Sequence, residues 1–173
     1  MNKARKTSKN KLTTWGWIWR LALSLAIPLV VGGVAALIAG DSMAKFNAFN
    51  QPPLAPPAWL FPVAWTVLYI LMGIACFLVW TRKADKSVTA KEKTVFLVVY
   101  GVQLAFNFFW SIFFFNLVWH WFAFIWLIAL WLMILVMVIW GLKNQRAVMW
   151  VLLPYLLWVT FAGYLNVMIA ILN

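Results

Sequence analysis

Gln103, Asn107 and Trp110 stand at i, i+4 and i+7 of the apolar stretch QLAFNFFWS. On a helix these three share one face. An amide turned to lipid has no hydrogen-bond partner, so both must face protein or a cavity. Two chemistries fit. The ordinary one is hydrogen bonding between helices; the other is the orientation of a guest in an otherwise apolar pocket. Two further tryptophans carry similar company. Trp65 precedes Tyr69 by four residues, while Trp158 follows Tyr155 by three and precedes Ala162 by four. Large ring faces suit stacking on a planar aromatic guest. Three rings from three segments, together with the two amides, favour the ligand cavity over simple helix glue.

Other chemistries lack the residues they need. The cores of the apolar segments hold no Asp, Glu, Lys or Arg, which argues against ion- or proton-coupled transport. A single cysteine, Cys76, excludes an intramolecular disulfide and any multi-cysteine metal site. It reads as a small buried apolar residue. His120, the one histidine, falls at a segment boundary, where a solvated ring is expected rather than a haem ligand. No nucleophile–base pair and no metal cluster can be assembled, so we expect no catalytic residue, no metal and no obligatory cofactor. Binding is favoured over catalysis.

Five apolar segments must position these side chains. They lie at about 16–40, 59–81, 95–116, 119–142 and 148–172. Each is close to the length that crosses a bilayer, roughly 20 residues. The first run, Leu21 to Ala39, exceeds a signal-peptide core of about 7–15 residues, so it reads as a membrane helix. The chain is 66% hydrophobic and 10% charged over its 173 residues. That is too apolar for a soluble domain of this size. The expected fold is therefore an all-α integral membrane protein: five transmembrane helices with a proline-rich lid loop between the first two. Residues 1–15 form a basic cytoplasmic tail and 16–173 a single membrane domain. The net charge of +11 could suggest nucleic acid, but the basic residues sit in short runs between apolar blocks, as in membrane proteins. We expect no nucleic-acid partner.

Those runs also orient the chain. The tail carries Lys3, Arg5, Lys6, Lys9 and Lys11; the second loop carries Arg82, Lys83, Lys86, Lys91 and Lys93; the fourth carries Lys143 and Arg146. Lys45 stands alone on the opposite side. Positive residues collect on the cytoplasmic side, so the N-terminus should be cytoplasmic and the C-terminus outside. Trp15, Trp17, Trp19, Trp80, Trp140 and Trp150 then fall at the inner boundary, and Trp59, Trp119 and Trp121 at the outer, as interfacial belts. Trp65 lies roughly 9 Å deeper than Trp59 at ~1.5 Å per residue. Above it stand Pro52, Pro53, Pro56 and Pro57. They make loop one stiff and mostly extended, as a lid across the outer mouth. Proline is also common in a helix's first turn, and that plainer use stays open.

Small residues mark close helix approach. Ser24, Pro28, Gly32, Ala36 and Gly40 recur every four residues in the first segment, and Gly101 and Ala105 form a shorter pair in the third. Either set could pack internally or against a second copy; the Gly101–Ala105 pair is the expected homodimer face.

Three stretches carry a family resemblance. PPLAPPAWLFPVAWTVLYILMG, QLAFNFFWS and LLPYLLWVTFAGYLN resemble the signature regions of the TspO/MBR family, the tryptophan-rich sensory and translocator proteins, over roughly Phe46 to Asn173. The resemblance implies a five-helix bundle, usually a homodimer, that binds porphyrins, haem-like tetrapyrroles and isoquinoline-type drugs beneath loop one. It places Trp65, Tyr69, Asn107, Trp110, Trp158 and Ala162 in the pocket and Pro56 and Pro57 in the lid. It also implies a membrane receptor or sensor, in a bacterial host's plasma membrane. Alternatives within the family are light- and oxygen-dependent porphyrin degradation and passive transport of porphyrin-like molecules. Leu54 stands where the lid usually has Trp, and Phe46-Asn47 where Trp-Tyr is common. Trp126 replaces a frequent aspartate, a bulk that could shrink the cavity. No basic residue follows Tyr155 or Tyr164, as the sterol motif of animal members would require.

Overall fold

The computed structural model describes residues 14–85 and 88–173. The basic tail residues Lys3 to Lys11 and Lys86 lie outside these. Five long helices carry the fold: α1 (Thr14–Ala39), α3 (Leu60–Thr81), α4 (Ala90–Ser111), α5 (His120–Asn144) and α6 (Arg146–Leu172). A short helix, α2 (Ser42–Ala48), lies in the first loop, and a π-helical turn, Ile112–Asn116, prolongs α4. All five long helices are apolar and long enough to span a bilayer, as expected of an integral membrane protein.

The helix starts follow from local chemistry. Thr89 accepts from the Glu92 amide at 3.2 Å, and the Glu92 carboxylate accepts from the Thr89 amide at 2.7 Å. This capping box starts α4 ahead of its apolar run, which is why hydropathy alone set the boundary at residue 95. The α5–α6 hairpin is closed at Gln145, whose backbone is extended. Gly141 makes the hairpin possible: a Cβ there would meet the Met149 amide nitrogen at 2.6 Å.

Loop one departs from expectation in its first half. It is helical over Ser42–Ala48 rather than extended. Asp41 Oδ1 accepts from the Ala44 amide at 3.0 Å, as a helix cap does. The proline-bearing half is irregular. Leu54 sits there at φ 66° and is 81% exposed. That left-handed conformation is uncommon for a residue with a Cβ. Bonds to α6 hold the loop down. Asn50 N–H donates to Asn173 Oδ1 at 2.9 Å, Asn50 Nδ2 to the Leu172 carbonyl at 3.0 Å, and the Tyr164 hydroxyl to the Pro53 carbonyl at 2.7 Å.

Packing contacts link α1 to α3, α3 to α6, α6 to α5, α5 to α4 and α4 back to α1, closing a ring. Its interior is filled by Met72, Leu130, Ile134, Leu152 and Tyr155, all essentially inaccessible. Small residues set the α1–α3 seam. Gly73 lies where a Cβ would approach the Ser24 carbonyl oxygen at 2.7 Å, and Gly32 lies against the Tyr69 ring. The small-residue face of α1 is thus used inside the chain, through Ser24, Pro28, Gly32, Ala35 and Ala39. Ala36 and Gly40 rotate outward, because 3.6 residues per turn do not keep a strict four-residue repeat in line. Gly101 and Ala105 face outward, with open space beside Gly101.

At the end where α1 begins, Arg20 lies over the Trp80 ring at 5.3 Å, the Arg82 guanidinium donates to the Asn144 carbonyl, and Lys93 donates to the Arg82 carbonyl. Trp15, Trp19, Trp59, Trp119, Trp121 and Trp150 are exposed to the surroundings, as belt residues should be. Trp140 is not: it is half-buried, 4.7 Å from Phe96.

Candidate functional site

Beneath loop one, α1, α3 and α4 enclose a cavity of about 120 Å³. Four of the seven residues expected in the pocket line it: Trp65 and Tyr69 from α3, and Asn107 and Trp110 from α4. Spacing puts each pair on one helical face, and the α1–α3 seam turns those faces towards each other. The far wall is α1, through Gly32, Ala35, Ala36 and Ala39. Small side chains there leave the room that the rings surround.

The rings are packed as one cluster. Trp65 lies 5.8 Å from Tyr69, 6.1 Å from Trp110 and 6.3 Å from Tyr155, in tilted or edge-on geometry. Behind them runs a buried chain of hydrogen bonds. The Tyr69 hydroxyl donates to Asn107 Oδ1 at 2.7 Å, Asn107 Nδ2 donates to the Tyr155 hydroxyl at 2.9 Å, and that hydroxyl donates to Gln103 Oε1 at 2.9 Å. Asn107 therefore joins helices, the first use considered for it, and also lies in the cavity wall. Gln103 takes only the first. It is fully buried below the cavity, its remaining amide group 3.8 Å from Met72 Sδ.

Trp158 and Ala162 stand on the other side of Phe61. The Phe61 ring lines the cavity, sits 6.0 Å edge-on from Trp158, and borders a void of about 10 Å³ that Ala162 shares with Trp110. Phe61 is thus a partition between the two halves of the expected pocket. Its position, i−4 to Trp65, was a usable signal that a search for tryptophans and amides passes over.

Asn166 was also missed. It is fully buried, accepts from Trp110 Nε1 at 3.1 Å and donates to the His120 carbonyl at 2.8 Å. It fixes the Trp110 ring as a wall. An apolar-flanked Asn four residues beyond Ala162 carries the same signal as Asn107, since a lipid-facing amide would be costly. His120 itself is buried rather than solvated, with 7% of its surface exposed, between Phe49 at 4.9 Å and Phe114 at 5.0 Å. The lid covers it. Cys76 is buried as expected. Trp126 does not intrude on the α1–α3–α4 cavity. It stacks on Phe106 at 4.1 Å and donates to the Phe106 carbonyl at 2.8 Å, filling the α4–α5 seam.

Of the lid prolines, Pro52 is buried, Pro56 half-buried, and Pro53 and Pro57 exposed. None of the four lines the cavity wall; the bonds to α6 hold their segment against that helix. Among the described residues, no charged side chain lines the cavity wall. Its lining is mostly aromatic and small apolar, with Asn107, Ser42 and Ser111 as its polar side chains besides the Tyr69 hydroxyl.

Comparison with known proteins shows the family. The sequence pattern of the TspO/MBR family matches residues 24–172, which extends the likeness into α1 beyond the Phe46 limit set by the motifs. The chain is 32% identical to the tryptophan-rich protein TspO of Archaeoglobus fulgidus over 157 residues, covering 90% of this chain and 98% of that one. It is 31% identical to the translocator protein of Ovis aries, covering 75% of each. It is 33% identical to the tryptophan-rich sensory protein of Cereibacter sphaeroides, covering 70% of this chain and 72% of the other.

Proposed function

This chain belongs to the TspO/MBR family, and from that premise we propose that it is a membrane receptor for porphyrins and related tetrapyrroles, with isoquinoline-type drugs as further guests. The observation that carries the reading is the cavity under loop one, where Trp65, Tyr69 and Trp110 present rings and Asn107 an amide, with no charge in the wall. Stacking on a tryptophan contributes about 0.5–1.5 kcal/mol beyond area burial, and three rings make such contact the main source of affinity.

Size adds a condition. The cavity holds about 120 Å³. Typical ligand pockets start at roughly 300 Å³. A tetrapyrrole would enter only after Phe61 swings aside and loop one lifts from α6. The site then extends to Trp158 and Ala162, so all the rings implied by the family resemblance meet one guest. The closed lid is the resting state on this reading, and the bonds of Asn50 and Tyr164 hold it.

The receptor is an integral membrane protein of the plasma membrane of a bacterial host. Its N-terminus and second and fourth loops are cytoplasmic, and loop one opens outside. Its homodimer forms through the outward Gly101–Ala105 face of α4, where open space lies beside Gly101.

Binding is tested by quenching of intrinsic tryptophan fluorescence with protoporphyrin IX in detergent. Trp65→Ala or Trp158→Ala should weaken it roughly tenfold or more, about 1.4 kcal/mol. Trp15→Ala, an exposed belt residue, serves as control and should leave affinity unchanged. Equal weakening by pocket and belt variants would mean partition into the apolar surface and would sink the site. Porphyrin products formed under illumination, but not in the dark, would move the reading from receptor to degrading enzyme; flux into proteoliposomes would move it to transporter.

A further inference from the structure

Lys45 is the one basic residue that the charge pattern places on the lid side of the bundle, and its ammonium is bonded to a residue of the aromatic cavity's wall. It comes from the last turn of α2. Its Nζ donates a 2.7 Å hydrogen bond to the carbonyl of Ala39, and both Ala39 and Ser42 belong to the cavity wall. Among the described residues no carboxylate lies within ion-pair distance of it; the ion pair present joins Arg82 to Asp85. Asp41, the acid nearest in sequence, turns Oδ1 to the Ala44 amide. An ammonium has three donors, and the Ala39 carbonyl takes one.

A half-buried cation beside an uncharged aromatic slot discriminates between guests. The slot takes a flat apolar body, and the rim takes an anion. A carboxylate there would gain a charge-assisted hydrogen bond, stronger than a neutral one and stronger again away from bulk water. The positive charge would also draw an anionic guest towards the mouth. Neither effect is available to a neutral ring compound of the same size.

We propose that Lys45 is the carboxylate anchor of this site, making it selective for planar aromatic acids over their uncharged counterparts. The proposal rests on the tetrapyrrole reading, since the propionate groups of such a ring supply the carboxylate. In the opened site the guest would lie with its ring against Trp65 and Trp110 and its acid edge at α2. Lys45 would keep its bond to Ala39 and turn a second donor to the guest.

The test uses the full chain in a nonionic detergent, with protoporphyrin IX and its dimethyl ester titrated against tryptophan fluorescence. The unsubstituted protein should prefer the free acid. Lys45→Met should remove that preference, weakening the acid about tenfold, the loss of one charged hydrogen bond, while leaving the ester unchanged. Lys45→Arg, which retains the charge, should keep most of the preference. If Lys45→Met weakens acid and ester equally, Lys45 only caps α1 and the anchor is refuted. An unaltered preference in Lys45→Met would refute it too. If the unsubstituted protein binds neither compound, the tetrapyrrole reading fails and takes the anchor with it; if it binds both equally, the anchor alone fails.

Discussion

Gly32 and Tyr69 occupy each other's contact distance: a Cβ added at Gly32 would fall 2.1 Å from Cε2 of the Tyr69 ring. The backbone of α1 therefore rests directly on an aromatic wall of the cavity. This one contact sets both the closeness of α1 to α3 and the position of the hydroxyl that Tyr69 gives to Asn107.

Gly32→Val should displace the Tyr69 ring, lower stability by about 1–3 kcal/mol as overpacking does, and abolish porphyrin quenching. Gly33→Val meets no atom within 4 Å and should do neither. Thermal unfolding in detergent, followed by circular dichroism, separates the two. Equal unfolding temperatures would show that the seam can relax around a side chain.

Asn107→Leu should cost more than Tyr69→Phe. The first leaves the Tyr69 hydroxyl without its acceptor, an orphaned buried group that costs about 1–3 kcal/mol, and also takes from the Tyr155 hydroxyl one of its two bonds. The second removes one bond while Asn107 keeps Tyr155. Denaturation midpoints in matched detergent give the order, and a reversed order would mean that the network is not what holds these helices together.

Phe61→Ala should join the two voids and raise affinity for protoporphyrin, because the partition between Trp65 and Trp158 is gone. Removal of a buried ring usually costs stability, about 3–5 kcal/mol in full burial and less for this half-buried one. Binding titrations alongside unfolding curves check both. Weaker binding in a folded variant would show that Phe61 itself contacts the guest.

Gly101→Leu should shift cross-linked protein from dimer towards monomer, since close backbone approach is lost. Unchanged cross-linking would move the interface away from α4. The α1 stripe is then the next candidate through its outward Ala36 and Gly40, since Gly32 is packed against Tyr69.

A reporter fused after Asn173 should be active on the outer side of the membrane, given twelve basic residues on the tail side against Lys45 alone and the cytoplasmic preference of such residues. Cytoplasmic activity would overturn the proposed orientation.

Sequence alone determined a great deal. Apolar run lengths defined five spans, because a bilayer admits only segments of that length. Period and spacing placed Trp65 with Tyr69 and Asn107 with Trp110, because residues three and four apart share a helical face whatever surrounds the helix. The polarity of Gln103 and Asn107 required that they point inward. Tertiary structure decided how those faces meet. Which neighbour a face turns to depends on how closely two backbones approach, and Gly32 and Gly73 fix this only against Tyr69 and Ser24 of the partner helix. Depth decided that Gln103 is structural while Asn107 lines the cavity, one turn apart on the same face. The lid's own path buried His120, which sequence position had left at the boundary. Trp158 and Ala162 fell behind Phe61 because the direction of a side chain between helices follows from three-dimensional packing, and no periodicity within a single helix records it.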